Sequence, residues 1–205
     1  MKFILGIKKN MTQIFEENGA VRPVTIIEAG PVVVTQKKDK QKDGYDAVQI
    51  GYGEKKVKNI NKAMKGHLKN LGNFRHLREF RMDKNSELDF NVGDKIEISF
   101  FEGIKSVNVS SISKGKGFQG VVKRHGFHGG PRTHGRKHSE REAGSIGTGG
   151  KEKVLKGTRM AGRMGGDKIT VKNLKIIKIN KDTNEIFVNG AVPGRRGTLV
   201  EIVSK

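Results

Sequence analysis

Apolar positions along this chain alternate over short runs separated by turn-forming residues, a rhythm that predicts β-structure over most of its length. Residues 3–7 and 11–15 are two such runs, followed by the hairpin turn signal Glu17-Asn18-Gly19. Residues 21–28 and 32–35 are rich in β-branched side chains, with Gly30-Pro31 as the break between them. Residues 36–44 are polar and predict a loop, and residues 47–52 alternate again. Strand patterning returns over 94–101, 106–112, 168–180, 185–192 and 198–203. Lys181-Asp182-Thr183-Asn184 supplies the turn between the 168–180 and 185–192 strands.

Two segments break the pattern. Within residues 54–84, Ile60, Ala63, Met64, Leu68 and Leu71 fall at helical spacing, with Gly72 as the expected C-cap and Lys62, Lys65 and Lys69 on other faces. This predicts a small basic helical insertion whose apolar stripe packs on the body. Residues 114–168 are stranger. They hold 15 of the 28 glycines, four of the six histidines, and 14 Lys or Arg against 4 Asp or Glu. Their large apolar side chains are too few and too irregularly spaced to close a core against the backbone entropy of so many glycines. The expected organisation is a discontinuous β-body, residues 1–113 and 169–205, that contains the 54–84 insertion. Residues 114–168 form an extension from it whose order depends on a partner.

Charge says what kind of partner. The 205 residues carry 41 Lys and Arg against 21 Asp and Glu, a formal net charge of +20, and half of that excess lies in residues 114–168. Such a chain repels itself until a polyanion neutralises it. A membrane surface calls for an amphipathic helix with large apolar residues or a long apolar run, and the sequence has neither. The first apolar run is too short for a secretory signal and meets Lys8-Lys9 at once, so it predicts a first strand. With no Cys, disulfides and thiolate metal sites are excluded, which fits a reducing compartment. Nucleic acid is the partner that fits.

Glycine and arginine together suit that partner. Glycine lets the backbone approach a surface and turn its N–H groups towards phosphate, while arginine offers a planar fork for phosphate and a face for bases. A solvated basic linker has the same composition, but strands resume after this segment, which makes it a long excursion from within a domain. Other chemistries find less support. Gly115-Lys116-Gly117-Phe118-Gln119-Gly120 matches G-x-G-x-x-G after a predicted strand, yet a poor helix start and more glycine follow it. Glu140 and Glu142 lie at the distance of a ribose-binding acid, but in His/Arg-rich sequence. The same stretch resembles the RNA-contact strand of an RRM without its stacking aromatic pair. His125, His128, His134 and His138 sit among cations that oppose a metal ion, and Ser139 and Ser145 have no acid-oriented triad. No catalytic constellation results, so an enzyme is not expected.

The spaced residues Phe101, Asn108, Ser111, Ser113, Gly115-Lys116-Gly117, Gly120 and Arg124 resemble the signature of the large-subunit ribosomal protein three family, in its bacterial form. Further matches are His134-Gly135, Gly144-Ser145-Ile146-Gly147, Met160-Ala161-Gly162-Arg163-Met164-Gly165 and Gly190-Ala191-Val192-Pro193-Gly194. The opening from Leu5 to Phe15 is similar too, although Asn10 stands where a glycine is usual. The resemblance implies a mainly β fold: a six-stranded barrel of the translation-protein type with a small helical insertion and a long extension. It also implies direct binding to 23S rRNA near its 3′ end, early assembly of the subunit, and an extension reaching towards the peptidyl transferase centre, with residues 144–153 near its tip. Proteins fourteen and nineteen of the same subunit are the implied neighbours, in a cytoplasmic ribosome, with no membrane and no small-molecule substrate. No cofactor is implied, and Mg2+ nearby would belong to the rRNA. Some bacterial relatives carry a methylated glutamine just after the Gly-Ser-Ile-Gly motif; here Thr148-Gly149-Gly150 follows, and that modification is not expected. The absence of Trp removes the aromatic fingertip of eukaryotic relatives.

The candidate phosphate or base contacts are Lys116, Lys123, Arg124, Arg132, His134, Arg136, Lys137, Arg141, Lys156, Arg159 and Arg163. Gly115, Gly117, Gly120, Gly144 and Gly147 are the candidates for close approach of backbone to RNA.

Overall fold

The computed structural model describes residues 1–16, 19–69, 71–82 and 90–204. The strands, in chain order, are β1 (Phe3–Phe15), β2 (Val21–Ala29), β3 (Val32–Lys38), β4 (Ala47–Glu54), β5 (Phe74–Arg81) and β6 (Lys95–Ile96). After them come β7 (Ser106–Ile112), β8 (Phe118–Gln119), β9 (Gly162–Arg163), β10 (Lys168–Asn180), β11 (Glu185–Asn189) and β12 (Leu199–Ser204). The helices are short: α1 (Lys40–Asp43), α2 (Lys62–Leu68) and α3 (Val121–His125). By contacts the chain forms two compact units, Met1–Ile112 with Lys168–Lys205, and Ser113–Asp167.

The larger unit is built on a closed antiparallel barrel of six strands in the order β1-β12-β7-β10-β11-β2. Strict alternation fills it. Val107, Val109 and Ser111 of β7 are buried on one face, as are Ile186 and Val188 of β11 and Val200, Ile202 and Ser204 of β12. β1 departs from that alternation, because Phe3, Ile4 and Leu5 are all fully buried. Ile4 lies opposite Ile202 and shares its inward face. Phe3 points the other way, where Phe80 stacks on it at 4.6 Å and Phe90 packs at 5.4 Å. Phe80 belongs to a second antiparallel sheet, ordered β5-β4-β3-β6, so β1 is covered on both faces. Gly6 is needed here, since a Cβ would lie 2.7 Å from the Glu28 carbonyl oxygen.

Several expectations are corrected. The runs 3–7 and 11–15 are one strand with an irregularity between Lys8 and Met11. Of the turn signal Glu17-Asn18-Gly19, the first two residues lie outside the described residues, as do residues 83 and 84 of the expected insertion. Among the described residues of 54–84 only α2 is α-helical, and β5 pairs along β4 instead. Asn61 caps α2 by accepting from the Met64 N–H at 2.8 Å. The helix stops before Leu71 because Lys69 turns to φ 49. The expected strand 94–101 is only two residues of β6 followed by a 3-10 turn over Ile98–Phe101. Ile98 and Phe101 are three apart and both buried, which a helical turn satisfies and a strand does not. The 36–44 loop yields its first residues to β3 and a single turn, α1, while β11 ends at Asn189 ahead of Gly190 at φ 82.

Polar groups stitch the barrel. Lys8 is buried and its Nζ donates to the carbonyls of Val192 (2.6 Å) and Gly194 (3.1 Å). The Asn108 side chain accepts from the Asn173 N–H at 3.0 Å, where Asn173 adopts φ 57 at a bulge of β10. Ser111 Oγ donates to the Leu199 carbonyl at 2.7 Å. The Tyr52 hydroxyl donates to the Glu28 carbonyl at 3.0 Å. Burial first, then the Glu28 charge, pushes the Tyr52 phenol up to about 12. A raised phenol stabilises the folded state fully below the free-tyrosine range near 10, and that contribution is lost as pH rises through about 12. In a Tyr45→Phe variant, which leaves Tyr52 as the sole tyrosine, phenolate absorbance is therefore expected to develop only near pH 12; development near pH 10 in the folded protein would refute this.

Among the described residues no helix is long and apolar enough to cross a membrane.

Candidate nucleic-acid interface

The smaller unit, Ser113–Asp167, follows Ile112 and precedes Lys168, which face each other across β7 and β10. Its root is a hydrogen-bonded ribbon. The Ser113 N–H donates to the Asp167 carbonyl (2.9 Å), Lys116 N–H to Met164 (2.9 Å), and Met164 N–H to Gly117 (3.0 Å). β8 and β9 pair within it, with Phe118 opposite Arg163 and Gln119 opposite Gly162. Glycine is obligatory at Gly165, where φ is 78 and a Cβ would lie 2.2 Å from the Lys114 carbonyl oxygen.

α3 carries Lys123, Arg124 and His125 and ends on Gly126 in the left-handed region. Arg124 donates from Nη1 to the Met160 carbonyl at 2.6 Å, and His125 Nε2 lies 3.0 Å from the same oxygen. Further along, the Gly130 N–H donates to the Glu140 carbonyl at 3.2 Å. At Gly129, φ is 75 and a Cβ would stand 2.0 Å from that same oxygen. These turns surround an open hollow of about 680 Å3, lined among others by His125, His128, Arg136, Ser139, Glu142 and Arg159.

What this unit lacks is a core: Val121 is the only buried residue between 113 and 167. Ten of the eleven candidate contacts, Lys116, Lys123, Arg132, His134, Arg136, Lys137, Arg141, Lys156, Arg159 and Arg163, are exposed, and Arg124 is half-buried. Among the described residues none of the eleven pairs with a carboxylate. The larger unit behaves differently. There Lys9 meets Glu28 and Lys38 meets Glu79, both at 2.8 Å, and Arg78 and Lys168 share Glu201. The hydrogen bond from Lys38 holds the Glu79 carboxyl below its ordinary value, and the same bond raises Lys38.

The five candidate glycines divide in two. Gly117 and Gly144 have φ of 67 and 76, so their backbone conformation itself favours glycine. Gly115, Gly120 and Gly147 do not, and at all five a Cβ would meet nothing within 4 Å. Two glycines that this unit needs for its own packing, Gly129 and Gly165, are not among the five, and of them the sequence marks only Gly165, as the end of a matching motif, because the atoms they avoid are distant along the chain. Asn108 and Ser111, read as signature residues, are barrel stitches. Among the described residues no group of three or more His, Asp or Glu is placed to hold a metal ion, the four histidines of this unit included.

A family model described as Ribosomal protein L3 matches residues 86–192. The chain is 49% identical over 205 residues to the Large ribosomal subunit protein uL3 of Finegoldia magna, covering 98% of this chain and 97% of the relative. The protein of that name from Herpetosiphon aurantiacus is 50% identical over 201 residues, with 97% and 94% covered. That from Corynebacterium diphtheriae is 48% identical over 207 residues, with 98% and 93% covered. A match over more than half of the chain, and relatives aligned over nearly all of it, establish that the chain belongs to the ribosomal protein L3 family.

Proposed function

We propose that the chain is a structural constituent of the large ribosomal subunit: it binds 23S rRNA near its 3′ end, nucleates assembly and sends residues 114–168 towards the peptidyl transferase centre. The observation that carries this reading is the set of exposed cations in residues 113–167 that have no carboxylate partner among the described residues, on a unit with a single buried side chain. RNA supplies what such a unit lacks, a dense array of negative charge against which it can order. The names of its relatives point to the large ribosomal subunit as the place where that RNA is met. The barrel docks first; the extension then orders as its cations displace counterions between packed RNA helices. Each neutralised phosphate adds roughly 0.7 to 0.9 to the salt slope of log affinity. Proteins fourteen and nineteen are the proposed neighbours, and the role is one of position, not of catalysis.

Competition at physiological salt tests this. Large-subunit rRNA is expected to displace a generic duplex from the protein, while equal affinity for both would make it a general nucleic-acid compactor. The glycines give a finer test. Gly147→Ala leaves thermal stability unchanged, since the site opens on space, and Gly120→Ala, equally open but at the N-cap of α3, lowers it only slightly. If RNA backbone approaches there, each weakens rRNA binding by about 1–3 kcal/mol, the cost of overpacking a close contact. Gly129→Ala, by contrast, disturbs the free protein through the Glu140 carbonyl. Wild-type affinity for Gly120→Ala and Gly147→Ala would remove them from the interface.

A further inference from the structure

Phe118 is the most exposed of the large apolar side chains among the described residues, at 76%. It is not exposed by looseness. It stands on β8, opposite Arg163 of β9, and the Lys116–Met164 and Met164–Gly117 hydrogen bonds fix the ribbon beside it. The Gln119 side chain donates back to the Lys116 carbonyl and closes the turn. The surroundings are low and positive. Gly115, Gly117 and Gly120 flank the ring in sequence, and a Cβ at any of them would meet nothing within 4 Å. The charged residues of 114–120 and 162–164 are Lys114, Lys116 and Arg163, all exposed and all cationic.

A held aromatic face, flanked by glycines that raise no wall and sharing its two strands with exposed cations, has the makings of a stacking platform for a base between two phosphates. We propose that Phe118 stacks on an RNA base, with Lys116 and Arg163 meeting the phosphates on either side of it. An apolar pocket on a protein would have to desolvate those three cations without neutralising them, whereas one nucleic-acid strand supplies both the π-face and the countercharge. The inference rests on the rRNA-binding reading and adds to it a contact that does not depend on salt.

The chain has no Trp, so Phe118→Trp places a single indole at the position. Its fluorescence is expected to be strongly quenched when large-subunit rRNA binds, with affinity kept. Phe118→Leu retains the fold, since the side chain is exposed, and weakens rRNA binding about tenfold at every salt concentration, within the range of one lost base–aromatic stack. Its salt slope stays that of the wild type, because no phosphate contact is removed. Unchanged affinity for Phe118→Leu overturns the proposal, as does an unquenched, blue-shifted indole in the bound Phe118→Trp protein, which would mean an apolar protein-like pocket. Both results leave the rRNA-binding reading intact. A wild-type protein that does not prefer large-subunit rRNA would overturn that reading, and the stacking proposal with it.

Discussion

Excision of residues 125–155, with the ends rejoined by a short glycine linker, is expected to leave a folded barrel that binds large-subunit rRNA more weakly and with a flatter salt dependence. Arg132, Arg136, Lys137 and Arg141 go with the excised segment. At roughly 0.7 to 0.9 per phosphate, four lost contacts lower the slope of log affinity against log salt by about 3. Affinity itself falls at least about tenfold, since each charge-assisted contact is worth roughly 1.5–3 kcal/mol. The barrel tolerates the excision because its core residues, Phe3 and Ile202 among them, all lie outside residues 125–155. Filter binding across a salt series measures both quantities. An unaltered affinity and slope would mean that the extension is a solvated linker.

Phe3→Ala should have the largest effect on stability. The ring is fully buried, stacks on Phe80 with planes 7° apart, and meets Phe90 from the side. Its removal opens a cavity where the outer face of β1 meets the second sheet, so relaxation of one side cannot fill it. Truncation of a buried Phe costs about 3–5 kcal/mol, a large share of the roughly 5–15 kcal/mol that a domain has in all. Denaturant unfolding checks this; a loss under about 1 kcal/mol would show that the two sheets do not depend on the stack. Phe3→Leu, which refills part of the volume, should recover some of the loss.

The barrel strands were legible where one face of a strand is wet. Residues 106–112 alternate because half their side chains face outwards, and that range matches the structure; 168–180 matches in range too, although irregularities at Val171/Leu174 and Ile176/Lys178 break its alternation. β5 was hidden by the same logic run to its limit. It is an edge strand with Phe80 as its single buried residue, so Arg75, His76, Arg78, Glu79 and Arg81 make it look like a polar connection. The turn at Ile98–Phe101 is not legible because so short an apolar run fits a strand and a helical turn alike, and only the burial of both Ile98 and Phe101 decides for the turn. Barrel closure in six strands came from the motif resemblance, not from periodicity, which gives strands but not their order. The charge and glycine content of residues 114–168 showed that this unit is chemically distinct. Composition did not show that Arg124 is partly engaged with the Met160 carbonyl, nor that Phe118 stands exposed on a fixed ribbon.

Hydrogen exchange of residues 126–158, in the free protein and bound to large-subunit rRNA, is the most direct measurement. In the free state these amides have few internal acceptors and should exchange quickly, while those of the Lys116–Met164 ribbon are slower; binding should bring broad protection across the whole segment. Strong protection of residues 126–158 in the free protein, or none gained on binding rRNA, would contradict the idea that RNA gives this arm its order.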